Sequence, residues 1–169
     1  MNILIAPNSM KGTLNAFDFA DTVEAALNAS GFSFNLRKLP VADGGDFTGE
    51  VLCRAIEANP VSLKVKGPLG HPVLATFWIS GTIAIIEMAE ASGMKKVDVS
   101  LLNPLKATSF GTGQLIAEAI QIGCTEIWLA LGGSATVDGG MGVLEALGFK
   151  FFDAKGREIP GNGENLSQV

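Results

Sequence analysis

MNILIAPNSMKGTLNAFDFADTVEAALNASGFSFNLRKLPVADGGD, residues 1–46, holds the succession of patterns that decides the fold. Asn2 to Ala6 is a short apolar run of the kind that fills a buried parallel strand. Phe19, Val23 and Leu27 then recur four residues apart, on one face of a helix expected from about Asn15 to Ala29. Asn28 to Gly31 supplies its stop. Phe34 to Val41 is a second strand, feeding the polar loop Ala42-Asp43-Gly44-Gly45-Asp46. A second helix, from about Thr48 to Asn59, is expected to end at Pro60, because the residue before a proline is pushed out of helical geometry. Strand, helix, strand, helix favours a parallel sheet with right-handed crossovers.

Outward from this segment the pattern changes. Val61, Leu63 and Val65 alternate with polar neighbours, Gly67-Pro68-Leu69-Gly70 suits a tight turn, and Val73 to Ile79 and Thr82 to Glu87 make two more strands around Ser80-Gly81. Three short strands with tight turns predict an antiparallel meander, a small lobe or insertion. A helix opens at Gly111-Thr112-Gly113 and runs to about Gln121, with Gly123 as its stop. Glu126 to Leu131 is a strand, Gly132 to Gly140 a glycine-rich loop, Val143 to Leu147 helical, and Phe149 to Phe152 a strand before a polar, hairpin-like end. The chain is therefore expected to be α/β, in three segments: 1–60 as a first α/β segment, 61–104 as meander and connection, and 105–169 as a second, truncated α/β segment.

Composition narrows the function. Acidic residues outnumber basic ones 17 to 12, so no basic stripe is available for nucleic acid or for an anionic membrane surface. No apolar run approaches the roughly 18 residues that span a bilayer. The N-terminus lacks a basic leader and reads as a strand, not a signal peptide. Cys53 and Cys124 have no metal-binding spacing and read as buried free thiols of a reducing cytoplasm. Charged residues make up only 17% and mean hydropathy is +0.34. That is more apolar surface than a small domain easily covers, so either a large partner surface or a larger whole is expected.

Four polar, glycine-bearing loops are candidates for chemistry, three of them at or near the carboxyl end of an expected strand, where ligands of open α/β sheets bind. In Asn8-Ser9-Met10-Lys11-Gly12-Thr13, Lys11 meets either a phosphate or carboxylate, or only solvent while Thr13 or Asn15 caps the helix. Asp43 and Asp46 suit a hydrated magnesium ion, which takes one or two carboxylates and shares the rest with water and phosphates. Asp43 could instead accept a hydroxyl proton, and Asp-Gly is also ordinary turn chemistry. Thr112 and Gly113, in Thr108 to Gly113, suit an anion or simple capping. Gly132, Gly133, Ser134, Thr136, Asp138 and Gly139 lie in a loop with four glycines in nine residues, more than turning requires, and such a loop lets backbone approach phosphates closely. Glu87 closes the apolar strand Ile83–Ile86, where a carboxylate is either a buried bonded group or a site residue. His71, the only histidine, reads as a surface turn residue.

The segments IAPNSMKGTLNA, VADGGDFT, KGPLGHPV, IIEMAEASG, NPLKATSFGTGQLI, LGGSATVDGGMGVLEALG and FFDAKGREI together resemble the bacterial glycerate kinases, in that family's order and spacing. The resemblance implies cytoplasmic transfer of the ATP γ-phosphoryl group to a glycerate hydroxyl with Mg²⁺. It also implies two α/β lobes, one with a flavodoxin-like or Rossmann-like parallel sheet, around a cleft. On that footing Lys11, Asp43 and Asp138 are the expected catalytic residues, and Asp43 and Asp46 the expected metal ligands. Asn8, Ser9, Gly44, Gly45, Glu87, Thr112, Gly113, Gly132, Gly133, Ser134, Thr136 and Gly139 are expected around substrate and nucleotide. The family usually has aspartate at Asn8, phenylalanine at Met10, and Glu-Gly at Asp46-Phe47, and its members are more than twice as long. A chain incomplete relative to the family is expected to self-associate, to pair with a complementing C-terminal chain, or to be a non-catalytic fragment.

Overall fold

The structure, a computed structural model, describes residues 1–10 and 13–169. β1 (Asn2–Ile5) and β2 (Asn35–Lys38) pair in parallel, Asn2 opposite Asn35 and Ile5 opposite Lys38. The crossover between them is α1 (Ala16–Ala29). Asn15 caps it, its side-chain oxygen accepting from Phe17 N at 3.0 Å and Asp18 N at 2.8 Å. Pairing continues past β2, with Leu39 N donating to Ile5 O and Val41 N to Pro7 O. This delivers Asp43 to the carboxyl end of the pair.

α2 (Thr48–Ile56) stops earlier than the proline rule predicts. Glu57 takes a left-handed conformation, φ +53°, and Ala58 N closes onto Cys53 O at 2.9 Å. Pro60 instead lies inside β3 (Asn59–Lys66). β3 is an edge strand, where a residue without an N–H is tolerated. β3, β4 (Pro72–Ser80) and β5 (Ile83–Glu87) form the expected antiparallel meander. The turn between β3 and β4 is held by Gly70 N donating to Gly67 O at 3.0 Å, with Gly70 at φ +92°.

The meander does not end with β5. β6 (Glu126–Ala130) pairs in parallel with β5, giving the order β3-β4-β5-β6. The crossover runs through a short helix α3 (Met88–Ser92), two single turns at Met94–Lys96 and Val99–Leu101, and α4 (Phe110–Ile122). The sequence reading placed no element over 88–104. α4 stops at Gly123, in the left-handed conformation expected of it. α5 (Met141–Ala146) packs on α4, and β7 (Phe151–Phe152) with β8 (Glu158–Ile159) makes a terminal hairpin before a turn at Gly163–Gln168.

The core lies between the four-stranded sheet and α4: Val65, Ala75, Phe77, Ala84 and Ile86 meet Ala91, Leu115, Ala119 and Cys124. Each fully buried Leu, Ile or Phe contributes about 1.5–3 kcal/mol relative to exposure. Gly113 lets the helices touch, since a Cβ there would lie 2.6 Å from Val143 O. The expected α/β class, with parallel pairs, flanking helices and a meander, is what the chain forms. Leu4, Leu105, Leu131 and Val137 nevertheless remain exposed.

Candidate active site

Strand carboxyl ends converge on one place. The loop after β2 meets the loop after β6, where Gly132 N donates to Gly44 O at 2.6 Å. A Cβ on Gly132 would sit 2.7 Å from Gly44 O and 2.8 Å from Gly45 N, so only glycine allows this approach. The glycine-rich loop is also tied to the turn after α3, with Met94 N donating to Gly133 O at 3.0 Å and Ala135 N to Ser92 O at 2.9 Å. Between these loops and the one after β1 lies a cavity of about 350 Å³, whose walls include Asn8, Ser9, Asp43, Gly45, Asp46, Lys95, Gly132 and Gly133. It adjoins a second of about 290 Å³, walled by Trp78, Glu87 and Glu90. Asp46, Phe47 and Lys95 face both.

Asp43 and Asp46 thus share one wall, as the sequence reading requires. Asp43 accepts from Gly45 N at 3.0 Å. Asp46 pairs with Lys95 at 2.6 Å. Lys95 Nζ also stands 5.3 Å from the Phe47 ring centroid. Among the described residues no three His, Cys, Asp or Glu side chains converge as a ready-made metal cage. Two carboxylates on an open cavity still fit magnesium, which keeps its waters and shares a substrate's phosphates.

Glu87 forms the buried foundation of this arrangement. It ends β5 and is only 5% exposed. Its two oxygens accept from Phe47 N at 3.2 Å and Gly49 N at 3.1 Å. Phe47, the residue preceding α2, has no side-chain oxygen to cap the helix, so Glu87 supplies the carboxylate from across the sheet. Burial pushes its carboxyl above the ordinary 4.5, opposed by the Gly49 N–H and reinforced by Glu90. Glu87 therefore reaches the cavity wall and holds the loop that carries Asp46.

Other expected site residues are placed differently. Asp138 is 2% exposed. Its Oδ2 accepts from Ser109 N at 2.7 Å, Ser109 Oγ at 2.8 Å and Gly142 N at 3.2 Å, and its Oδ1 from Gly140 N at 3.1 Å. It clamps the start of α5 to the start of α4. Thr112 Oγ1 bonds Ser92 Oγ at 2.8 Å inside the core, and Gly113 faces α5. Ser134 Oγ and Thr136 Oγ1 bond each other at 2.7 Å, and Gly139 approaches Leu166. None of these six lines the two cavities. Lys11 lies outside the described residues. The sequence reading missed Lys95 and the left-handed Phe47, φ +68°. Lys95 stands two residues beyond the segment IIEMAEASG, and only its spatial neighbour Asp46 marks it out.

Comparison with known proteins identifies the family and the fold. The family described as "Glycerate kinase family" matches residues 3–169. A glycerate kinase of Bacillus subtilis (strain 168) is 43% identical over 171 aligned residues, covering 100% of this chain and 45% of the relative. A glycerate 2-kinase of Escherichia coli (strain K12) is also 43% identical, with the same coverage. A crystal structure of a related protein from Salmonella typhimurium LT2 superposes with a TM-score of 0.82 at 42% identity, covering 100% of this chain and 46% of its own. The chain thus spans less than half the length of these relatives.

Proposed function

The chain belongs to the glycerate kinase family, and on that premise we propose that its paired cavities are where a glycerate hydroxyl receives the γ-phosphoryl group of ATP. The carrying observation is that Asp43, Asp46 and Lys95 line one cavity with Gly132 and Gly133, in the loops that follow β2, α3 and β6. Phosphoryl transfer asks a protein for positioning and charge neutralisation more than covalent chemistry. In this reading Asp43 orients the attacking hydroxyl and takes its proton. Asn8 and Ser9 lie on the same wall and contact substrate, while Gly44, Gly45 and Gly133 let backbone come close to it. Asp46 would hold magnesium, joined by Asp43 in the alternative reading in which Asp43 is a metal ligand instead of the base, and the ion would neutralise phosphate charge when bound. Asp138, Thr112, Gly113, Ser134, Thr136 and Gly139 keep the loops in place.

The glycine-rich loop supports a narrower role than a full phosphate cradle. The N–H groups of Gly132, Ala135, Thr136, Gly140 and Gly142 already donate within the protein. Exposed Leu131 and Val137 support self-association or a complementing chain, which light scattering would reveal as mass above one protomer. The reaction is placed in the cytoplasm, where ATP and free thiols coexist.

The test is to incubate the purified chain with ATP, Mg²⁺ and D-glycerate and follow products by ³¹P NMR. A phosphoglycerate resonance is expected, its shift identifying the hydroxyl. Asp43→Asn should slow its appearance by about 10²-fold or more, the scale of a lost general base. No product from a folded chain would refute the claim that this chain carries out the reaction unaided.

A further inference from the structure

The larger cavity poses a charge problem for the proposed reaction. Both substrates are anions, yet its wall carries Asp43 and Asp46. Lys95 is the one cationic side chain among the described residues of that wall. Its neighbour Lys96 is committed elsewhere, to Leu74 O at 3.2 Å and Glu90 at 3.6 Å.

Lys95 combines a backbone tied to its neighbours with an exposed head. Its turn is tied to the glycine-rich loop by the bond from Met94 N to Gly133 O. Its side chain remains 69% exposed. An ion pair whose lysine stands this far in solvent holds that group weakly, so the ammonium group can exchange one carboxylate for another.

We propose that Lys95 binds the carboxylate of the acid substrate, exchanging for it the Asp46 carboxylate with which it pairs. This rests on the reading of the cavity as a kinase site and adds the recognition element for the acid. A three-carbon hydroxy acid carries its carboxylate at one end and its hydroxyls toward the other, and the cavity offers a cation, Lys95, and a carboxylate, Asp43, for those two unlike ends. The ammonium group is a compact point charge able to meet one carboxylate, and phosphate binding by it is an outcome that the test below separates. The Phe47 ring keeps the ammonium group over the cavity when Asp46 is released.

The test titrates ¹⁵N-labelled full chain with sodium D-glycerate and, separately, with Mg·ATP, following amide shifts in the wild type, Lys95→Met, Lys95→Gln and Lys95→Arg. Glycerate affinity should fall at least about 10-fold in the Met and Gln variants and stay within about 3-fold in the Arg variant, while Mg·ATP affinity changes less than about 2-fold. This split separates recognition from a general structural effect, and the exposed Arg variant keeps the test usable if a neutral variant folds poorly. Unchanged glycerate affinity in Lys95→Gln would overturn the proposal and leave the kinase reading standing. Loss confined to Mg·ATP would overturn it in favour of phosphate binding by Lys95. A wild type that binds Mg·ATP but not glycerate would overturn it alone. A folded wild type that binds neither would overturn both readings for this chain.

Discussion

Replacing Phe47 by alanine and, separately, by glycine should reverse the usual order of stability. Phe47 has φ +68° at the entrance to α2. In that region any residue with a Cβ pays about 1–2 kcal/mol, and glycine pays nothing comparable. Glycine loses more freedom on folding, about 0.4–1 kcal/mol relative to alanine. Both variants forfeit the ring and its contact with Lys95, so those losses cancel when the two are compared. Both also keep the N–H that donates to Glu87. What remains favours Phe47→Gly over Phe47→Ala by about 0.5–1 kcal/mol. With a urea m-value of about 2 kcal/mol/M, the glycine variant should unfold at a midpoint higher by about 0.25–0.5 M. In right-handed helical backbone the order is opposite, with alanine ahead by about 0.5–1 kcal/mol. Urea melts followed by circular dichroism decide the matter. Equal midpoints, or a higher one for Phe47→Ala, would refute a left-handed residue 47. Glu57, at φ +53°, should show the same inversion.

Asp138→Ala strands three donors, Ser109 N, Ser109 Oγ and Gly142 N, away from water, and should cost about 3 kcal/mol or more, lowering Tm by about 6–12 °C; a Tm within a degree of wild type would contradict the clamp. Glu87 binds its proton more tightly folded than unfolded, so the unfolded chain deprotonates first as pH rises through 4.5. Stability from this group is complete below that pH and is lost as pH climbs through the higher folded value. Glu87→Gln cannot titrate, so the stability of wild type minus variant should fall across that window, and a flat difference would count against a buried, titrating carboxyl. Gly132→Ala should cost about 1–3 kcal/mol and shift the amide resonances of Gly44 and Gly45, because its methyl would lie 2.7 Å from Gly44 O; an unperturbed spectrum would disprove the close approach.

What could be read locally was legible in the sequence. The four-residue spacing of Phe19, Val23 and Leu27, with Asn15 ahead of it, carries α1 and its cap. Pro68 with Gly70 marks a turn, and Gly123 a helix end, by local turn chemistry. Pro60 misled because a proline that stops a helix and one tolerated in an edge strand obey the same local rule, and only the pairing with β4 separates them. α3 is too short to show a period. Asp43 and Asp46 were legible as candidates because carboxylates beside glycines are a local signal. Lys95 was not, because its meaning lies in Asp46, a distant residue brought near by folding. Asp138 shows the same ambiguity. An acid next to paired glycines looks alike whether it faces a ligand or, as here, Ser109 and Gly142.

The bond from Gly132 N to Gly44 O bridges parts of the molecule that belong to different sheets. Its amide hydrogen can exchange with solvent deuterium only when the loop after β6 separates from the loop after β2. That separation also parts Gly132 from Gly45 in the cavity wall. The Gly132 amide is thus a built-in clock for site opening, readable without ligand or turnover. Measured beside the core amides of β4 and α4, its protection would tell whether the site breathes independently or opens only when the whole fold gives way.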